Sequence, residues 1–257
     1  MSRFQKIARG ALATALIWSS LLLTAQADSN VKAPISLGEL LSQNSKYLHS
    51  HGAEYYADFK DAQNPGVTLL SCSDSRAHST SFFNDPINRV FAVRNIGNQI
   101  HNNFGSVDYG VHHLYTPLLL VMGHTHCGAV QAAMQNYASE SFAIVREVDH
   151  LAIPLRGILQ EASQPHDAEL LWARAVEHNV DYQVEMARRR YADAIAAGKL
   201  NVVGAVSDIS NAYGAGYGQL VIVNLNGEKD LTRLRLHRLV ADVPEALRQQ
   251  AIRRLKP

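Results

Sequence analysis

The sequence predicts an α/β fold in which a mainly parallel β-sheet is flanked by helices. Short apolar runs that end abruptly in small polar residues alternate with longer segments whose apolar residues recur at helical spacing. This alternation is typical of parallel strands joined by right-handed helical crossovers. The chain has 257 residues, 47% of them hydrophobic and 18% charged, and can bury one sizeable core. A net charge of +1 gives no indication of a nucleic-acid partner or a strongly acidic one.

Residues 1–27 have the three parts of a secretory signal peptide. Basic residues within positions 3–9 precede the apolar run 11–23, and an A-x-A sequence ends at Ala27. The alternative is an amphipathic first helix or a membrane anchor, but the apolar run is short for a membrane span. We therefore expect cleavage after Ala27. The mature domain, residues 28–257, would then be periplasmic or secreted, with no membrane partner.

The remaining elements follow from local patterns taken in chain order. Apolar spacing indicates helices over residues 33–60, interrupted at His51-Gly52, and a turn follows at 61–66. Short β-favouring runs predict five strands, at residues 67–70, 90–93, 118–122, 200–206 and 218–224. One helix is predicted to begin at Ser106 as its N-cap, and another to begin at Gly128. Two longer helical regions are predicted at 142–159, with a break at Pro154, and at 168–197, with Gly198 as C-terminal cap. Part of the tail from Leu234 is also predicted to be helical.

The first candidate site follows the strand at residues 67–70. Cys72, Asp74 and Arg76 come directly after it at intervals of two. In open α/β sheets, ligands bind outside the carboxyl ends of the strands. A thiolate is a soft metal ligand, and a nearby carboxylate can ligate as well or accept a hydrogen bond from a metal-bound water. Because arginine can hold a carboxylate by a bidentate pair, the stretch predicts metal chemistry at the mouth of a crevice.

A second stretch has the same organisation. The apolar run at residues 118–122 ends in Gly123, after which come His124, Cys127 and the start of a helical pattern at Gly128. A cysteine at a helix N-terminus is favoured as the thiolate by the helix dipole and the free amides. Two strand-end loops thus supply two sulfurs and one imidazole. Three protein ligands with a fourth position open are typical of a catalytic zinc site.

Together, the two motifs resemble those of the β-class carbonic anhydrases. The resemblance runs from about residue 37 to residue 224. It rests on Cys72-x-Asp74-x-Arg76 and His124-x-x-Cys127, with further matches at Phe91–Asn98, at Ser106–Gly110 and at Asn201–Val206. Asp108 stands where the family more often has glutamate.

The resemblance implies a fold, a cofactor and a reaction. The fold would be a four-stranded parallel sheet with an added edge strand, assembled as homodimers or dimers of dimers. Zn²⁺ would be held by Cys72, His124 and Cys127, and the enzyme would convert carbon dioxide reversibly to bicarbonate and a proton. Asp74 and Arg76 would be the catalytic pair, with Asp74 also a possible fourth zinc ligand in a closed state. The substrate pocket, shared across the dimer interface, would comprise Gln63, Phe91, Ile96 and Tyr109.

Two other interpretations remain open. A hydrolase of carbonyl sulfide or carbon disulfide would use the same fold and metal and would differ only in access to the pocket. Alternatively, two cysteines in an exported protein usually form a disulfide, so that Cys72 and Cys127 would staple a non-catalytic module. The residues at the neighbouring motif positions favour metal binding, and metal content would separate the two possibilities.

Overall fold

A computed structural model describes residues 34–161 and 167–256, so the predicted signal peptide lies outside the described residues. The described residues divide into two units, one that ends at Tyr56 and one that begins at Ala57. The first unit contains helices α1 (Leu37–Ser50) and α2 (Ala53–Tyr56), which are separated at His51-Gly52 as predicted. Ser36 caps α1 by accepting a hydrogen bond from the Glu39 amide at 3.0 Å.

The second unit is built on a five-stranded sheet. Its strands are β1 (Val67–Cys72), β2 (Val90–Asn95), β3 (Leu118–His124), β4 (Asn201–Asp208) and β5 (Gln219–Leu225). The strand order is β2-β1-β3-β4-β5, in which the first four strands are parallel and β5 runs antiparallel to β4. The predicted fold class is therefore confirmed, with β5 as the added edge strand.

Helices cover both faces of this sheet, because the parallel strands are apolar on both sides. The helices of this unit are α3 (Phe104–Asp108), α4 (Gly128–Ala133), α5 (Phe142–Asp149), α6 (Ala152–Glu161), α7 (Ala168–Arg190), α8 (Ala192–Ala196), α9 (Leu231–Arg235) and α10 (Glu245–Ala251). The long helix α7 packs on one face with α4 to α6, and α9 and α10 lie on the other. No helix of the described ranges has the length and apolar character needed to cross a membrane.

Several predicted boundaries are wrong, and one of them is the end of α2, which lies at Tyr56 and not at residue 60. Helix α3 begins at Phe104, so Ser106 lies inside the helix and does not cap it. The break in the region 142–159 falls at residues 150–151, and Pro154 sits in the first turn of α6. Proline is tolerated there because the first-turn amides have no helical partner. The long helix predicted over 168–197 ends at Arg190, and Tyr191 separates it from α8.

A π-helix, Tyr109–His113, continues directly from α3 and was not predicted. The last residue of α3, Asp108, accepts hydrogen bonds from Arg190 Nε at 2.7 Å and from the Tyr191 hydroxyl at 2.8 Å. The Arg190 guanidinium holds the pKa of Asp108 below its usual range. These contacts tie α3, and with it Tyr109, to the end of α7.

A buried ion pair joins the middle of α7 to the segment after α10. Glu177 is only 3% exposed, and its carboxylate accepts hydrogen bonds from the Tyr213 hydroxyl at 2.9 Å and the Leu255 amide at 3.1 Å. Arg254 Nη2 lies 3.0 Å from Glu177 and 2.9 Å from Asp181. Burial raises the pKa of Glu177, and Arg254 opposes that rise.

Replacement of Arg254 by methionine is therefore expected to destabilise the protein by about 3–5 kcal/mol, because it leaves the Glu177 charge buried without its partner. A carboxyl whose folded pKa lies above its unfolded value costs stability above that pKa, and the cost disappears as the pH falls through it. The deficit relative to wild type should thus be largest near pH 8 and smaller near about pH 5. Urea unfolding at both pH values measures it.

The exposed Arg233, which pairs with Glu228 at 3.2 Å, provides a matched control. Arg233→Met is expected to cost less than about 1 kcal/mol. A deficit for Arg254→Met that is the same at both pH values would contradict the assigned role of Glu177.

Candidate metal centre

The adjacent strands β1 and β3 bring the three predicted metal ligands together at one edge of the sheet. Ser71 is in register with Met122, so Cys72 and His124, the last residues of their strands, end side by side. Cys127 follows at the N-cap position of α4. The sulfur and nitrogen atoms of the three side chains all lie within 4.8 Å of one another, and all three residues are buried.

The geometry of this cluster fits zinc. The two cysteine sulfurs are 4.0 Å apart, close to the separation of about 3.8 Å that tetrahedral coordination with Zn–S bonds of about 2.3 Å requires. His124 Nδ1 donates a hydrogen bond to the carbonyl oxygen of Thr125 at 3.0 Å, which fixes the tautomer. His124 Nε2 is buried and has no hydrogen-bond partner within the described residues. Its lone pair is therefore available to a metal ion.

The two cysteines are free thiols, and each shifts the pKa of the other. The pKa of Cys72 is lowered to about 4, mainly by the hydrogen bond from Cys127 and against the effect of burial, and the Gly97 amide, which donates to Cys72 Sγ at 3.4 Å, contributes to this shift. The same pairing with Cys72, together with burial, raises the pKa of Cys127. Without a cation, the pair thus retains one proton. A divalent cation would favour both thiolates and release that proton.

Asp74 and Arg76 form a bidentate pair beside the cluster. Arg76 Nε donates to Asp74 Oδ1 at 2.9 Å and Arg76 Nη2 donates to Asp74 Oδ2 at 2.7 Å. These hydrogen bonds hold the pKa of Asp74 well below its usual range. Asp74 Oδ2 lies 3.7 Å from His124 Nε2, so the carboxylate faces the cluster. Arg76 Nη2 also donates to the carbonyl oxygen of His126 at 3.1 Å and so links the two ligand loops.

Arg94 holds the loop that carries Cys72 and Asp74. Its guanidinium donates to the carbonyl oxygens of Cys72 at 3.0 Å, Asp74 at 2.8 Å and Ala77 at 3.0 Å. The sequence analysis included Arg94 in the matching stretch Phe91–Asn98 but assigned it no role. Three backbone carbonyls that converge on one side chain fix the direction in which this loop leaves β1.

The four predicted substrate-pocket residues do not all come together within one chain. Ile96 follows β2 at the same edge of the sheet as Cys72. Phe91, by contrast, lies near the amino end of β2, and its ring stacks on that of Tyr109 at 5.7 Å. Gln63 is exposed in the segment before β1. Four residues of strand, roughly 13 Å, thus separate Phe91 and Tyr109 from the metal-site end of the sheet.

A cavity of about 610 Å³ opens beside Arg76 and His126 and was not predicted. His126 has a positive φ of 58°, its ring stacks on Trp172 at 4.7 Å, and Nε2 lies 2.7 Å from a carboxylate oxygen of Glu169. The other lining residues are Asp167, Leu170, Ile209, Ser210, Ala212 and Tyr217. The lining residues come from separate parts of the chain, at residues 76, 126, 167–170 and 209–217. Because these parts are far apart in sequence, no local pattern indicated the cavity.

Comparison with known proteins agrees with this fold and site. A family model described as carbonic anhydrase matches residues 67–214. A carbonic anhydrase of Mycolicibacterium smegmatis is 32% identical over 163 residues, which cover 61% of this chain and 77% of that protein. The protein therefore belongs to the carbonic anhydrase family.

The fold is that of the β class. The Coccomyxa β-carbonic anhydrase, solved in complex with acetazolamide, is 27% identical and superposes with a TM-score of 0.61 over 68% of this chain and 83% of its own. One of two tetrameric β-carbonic anhydrases from Sordaria macrospora has the same fold, with a TM-score of 0.64 at 22% identity over 72% and 95% of the two chains.

Proposed function

We propose that this protein is a zinc-dependent carbonic anhydrase that interconverts carbon dioxide and bicarbonate. The observation that carries the proposal is the buried Cys72–His124–Cys127 cluster, faced by a carboxylate that Arg76 holds ionised, in a chain of the carbonic anhydrase family. Zinc held by these three residues would supply Lewis acidity and so make water a strong nucleophile at moderate pH.

Two residues of the chain, Asp74 and Arg76, orient the attacking water. Asp74 accepts a hydrogen bond from the attacking water and so directs a lone pair of that water at the carbon of carbon dioxide. Arg76 fixes the carboxylate in position through two hydrogen bonds. Two thiolates donate more charge to the metal than imidazoles would, so we expect the activity to rise toward alkaline pH.

Metal analysis together with stopped-flow hydration of carbon dioxide tests the function. One zinc per chain and rapid hydration are expected. A zinc protein that releases hydrogen sulfide from carbonyl sulfide or carbon disulfide without hydrating carbon dioxide would instead be a hydrolase. Active protein that contains no metal, or in which Cys72 and Cys127 are bonded, would contradict the zinc mechanism.

We infer that two copies of the chain complete the substrate pocket. The separation of Gln63, Phe91 and Tyr109 from the chain's own metal cluster supports this, because a neighbouring copy can bring its own three residues there. Four leucines of α1, each more than half exposed, offer apolar surface for association: Leu37, Leu40, Leu41 and Leu48.

Complementation between two impaired variants tests the shared site. Gln63→Ala and Cys127→Ser are each expected to be weak or inactive alone. A mixed dimer places the intact Gln63 of one copy beside the intact cluster of the other, which restores one site. We therefore expect mixed and re-equilibrated variants to hydrate carbon dioxide faster than the sum of the separate samples. A mixture no faster than that sum would place the whole pocket within one chain.

We propose that residues 1–27 direct export and are removed, so that the enzyme acts in the periplasm or outside the cell. The basic, apolar and A-x-A order of these residues supports the proposal. N-terminal sequencing after expression in a Gram-negative host is expected to give Asp28 as the first residue. A variant that lacks residues 2–27 serves as the cytoplasmic control. A full-length chain that starts at Met1 and stays in the cytoplasm would rule the proposal out.

A further inference from the structure

Helix α7 carries none of the three metal ligands, yet it contacts Cys127, the residue before His124, and the loop whose Gly97 amide donates to Cys72. The residues that make these contacts are Trp172, Val176, Asn179, Val180 and Gln183. Each lies three or four residues from another member of the set, so that all five share one face of the helix. Most of this face is apolar and packs on the sheet. Asn179 and Gln183 are buried polar exceptions within it.

The Asn179 side chain binds the loop beside Cys72. Asn179 is fully buried, and its Nδ2 donates to the carbonyl oxygen of Gly97 at 2.9 Å. Gln183 Nε2 donates to Asn179 Oδ1 at 3.0 Å, and Gln183 Oε1 accepts from the Ile100 amide at 3.0 Å. Two adjacent turns of α7 thus hold both ends of the loop from Gly97 to Ile100.

Gly97 connects this amide chain to the metal centre. Its φ is +74°, a conformation that favours glycine, and a Cβ at this position would lie 2.8 Å from a methyl carbon of Leu151. The Gly97 amide donates to Cys72 Sγ at 3.4 Å. Because glycine is the most flexible residue, the direction of this N–H depends on what fixes its peptide groups. Asn179 supplies that constraint at the Gly97 carbonyl.

The same face of α7 also contacts the chain at the other two predicted ligands, His124 and Cys127. A Cβ at Gly123, the residue before His124, would lie 2.7 Å from a Val180 methyl carbon and 3.1 Å from a Val176 one, so β3 and α7 are in direct backbone-to-side-chain contact here. Trp172 Nε1 donates to the carbonyl oxygen of Cys127 at 3.1 Å. Both contacts involve a ligand or its immediate neighbour.

We propose that Asn179 and Trp172 are positioning residues for the metal centre, Asn179 acting on Cys72 through Gly97 and Trp172 acting on the Cys127 carbonyl. The proposal rests on the zinc site proposed above and adds to it the residues that set the two sulfurs in place. Hydrogen bonds to ligands from the surrounding protein orient them and tune the metal, and their loss typically weakens metal binding by about 10- to 100-fold.

Metal release from three full-length variants tests the proposal without any activity measurement. Asn179→Ala removes the donor to Gly97, and Trp172→Phe removes the indole N–H while keeping an aromatic side chain at this position. Val184→Ala, at a buried α7 position one residue beyond Gln183, is the control for lost packing. We expect release of zinc to excess chelator to be about 10- to 100-fold faster in Asn179→Ala and measurably faster in Trp172→Phe than in the control. Release no faster than in Val184→Ala would overturn the proposal.

A second measurement needs no substitution at all. In the wild-type protein loaded with an NMR-active cadmium isotope, a hydrogen bond from the Gly97 amide to a metal-bound Cys72 sulfur is expected to give scalar coupling between the Gly97 amide proton and the metal. Absence of that coupling would remove the link between Asn179 and Cys72. Because cadmium binding and zinc release are independent of hydration, a protein that binds metal as expected but does not hydrate carbon dioxide would contradict the proposed function alone.

Discussion

Replacement of Cys127 by serine is expected to remove zinc and to reduce hydration of carbon dioxide to the uncatalysed rate. A serine hydroxyl is not ionised at neutral pH and does not replace a thiolate as a zinc ligand. Only Cys72 and His124 would remain, and two ligands are too few for a catalytic zinc site. Metal analysis and stopped-flow hydration on the same preparation measure both effects.

The neighbouring Ser71 offers a matched control for this substitution. It is buried on β1 beside Cys72, and its hydroxyl has no hydrogen-bond partner within the described residues. Ser71→Ala is therefore expected to keep both zinc and activity. If Cys127→Ser retained the wild-type zinc content and rate, Cys127 would not be a ligand.

Replacement of Asp74 by alanine is expected to separate metal binding from catalysis. The three ligands are untouched, so zinc should be retained. The carboxylate that orients the attacking water is lost, and a positioned acid–base group typically contributes about 10²- to 10⁴-fold to the rate. We expect kcat/KM to fall within that range. Ser75→Ala, which changes an exposed residue of the same loop, should leave the rate unchanged.

The Arg76→Ala variant distinguishes the two possible positions of Asp74. Without Arg76, the pKa of Asp74 returns toward its ordinary value of about 4, so the carboxylate stays ionised at neutral pH. Any loss of rate must then come from its position. We expect the free carboxylate to become the fourth zinc ligand, visible by zinc K-edge spectroscopy, and to be displaced only at higher pH.

The pH dependence of the wild-type enzyme completes this comparison. Hydration is expected to climb between about pH 7 and pH 9, the range that enzyme-bound and aqueous zinc define for ionisation of water. In Arg76→Ala, the rise should shift upward. Wild-type activity in Asp74→Ala, or unchanged coordination and rate in Arg76→Ala, would show that this pair has neither role.

The sequence indicated the strands and the ligand motifs because both are local signals. Each predicted strand was found, with ends that differ by one or two residues, and the strand-end positions of Cys72 and His124 follow from parallel pairing of β1 with β3. The break between α7 and α8 was missed because residues 188–197 contain no proline or glycine to mark it.

Contacts between segments that are distant in sequence could not be predicted from such local signals. The pairing of Asp108 with Arg190 joins residues 82 positions apart, and no local pattern links them. One overlooked signal was present: Asn179 interrupts an apolar stripe that includes Val176, Val180 and Val184. A polar residue on a buried helix face needs a hydrogen-bond partner, so this position indicated a contact although it could not name the loop.

The contacts made by α7 also bear on how fast the chain reaches its native state. The hydrogen bonds that link this helix to Gly97, to Ile100 and to Leu255 close loops of 82, 83 and 78 residues, respectively. Loop-closure entropy is lost before such contacts are gained, and domains dominated by distant pairings fold on the millisecond-to-second scale. We therefore expect the metal centre to be completed in a late step of folding, after the sheet and α7 have docked.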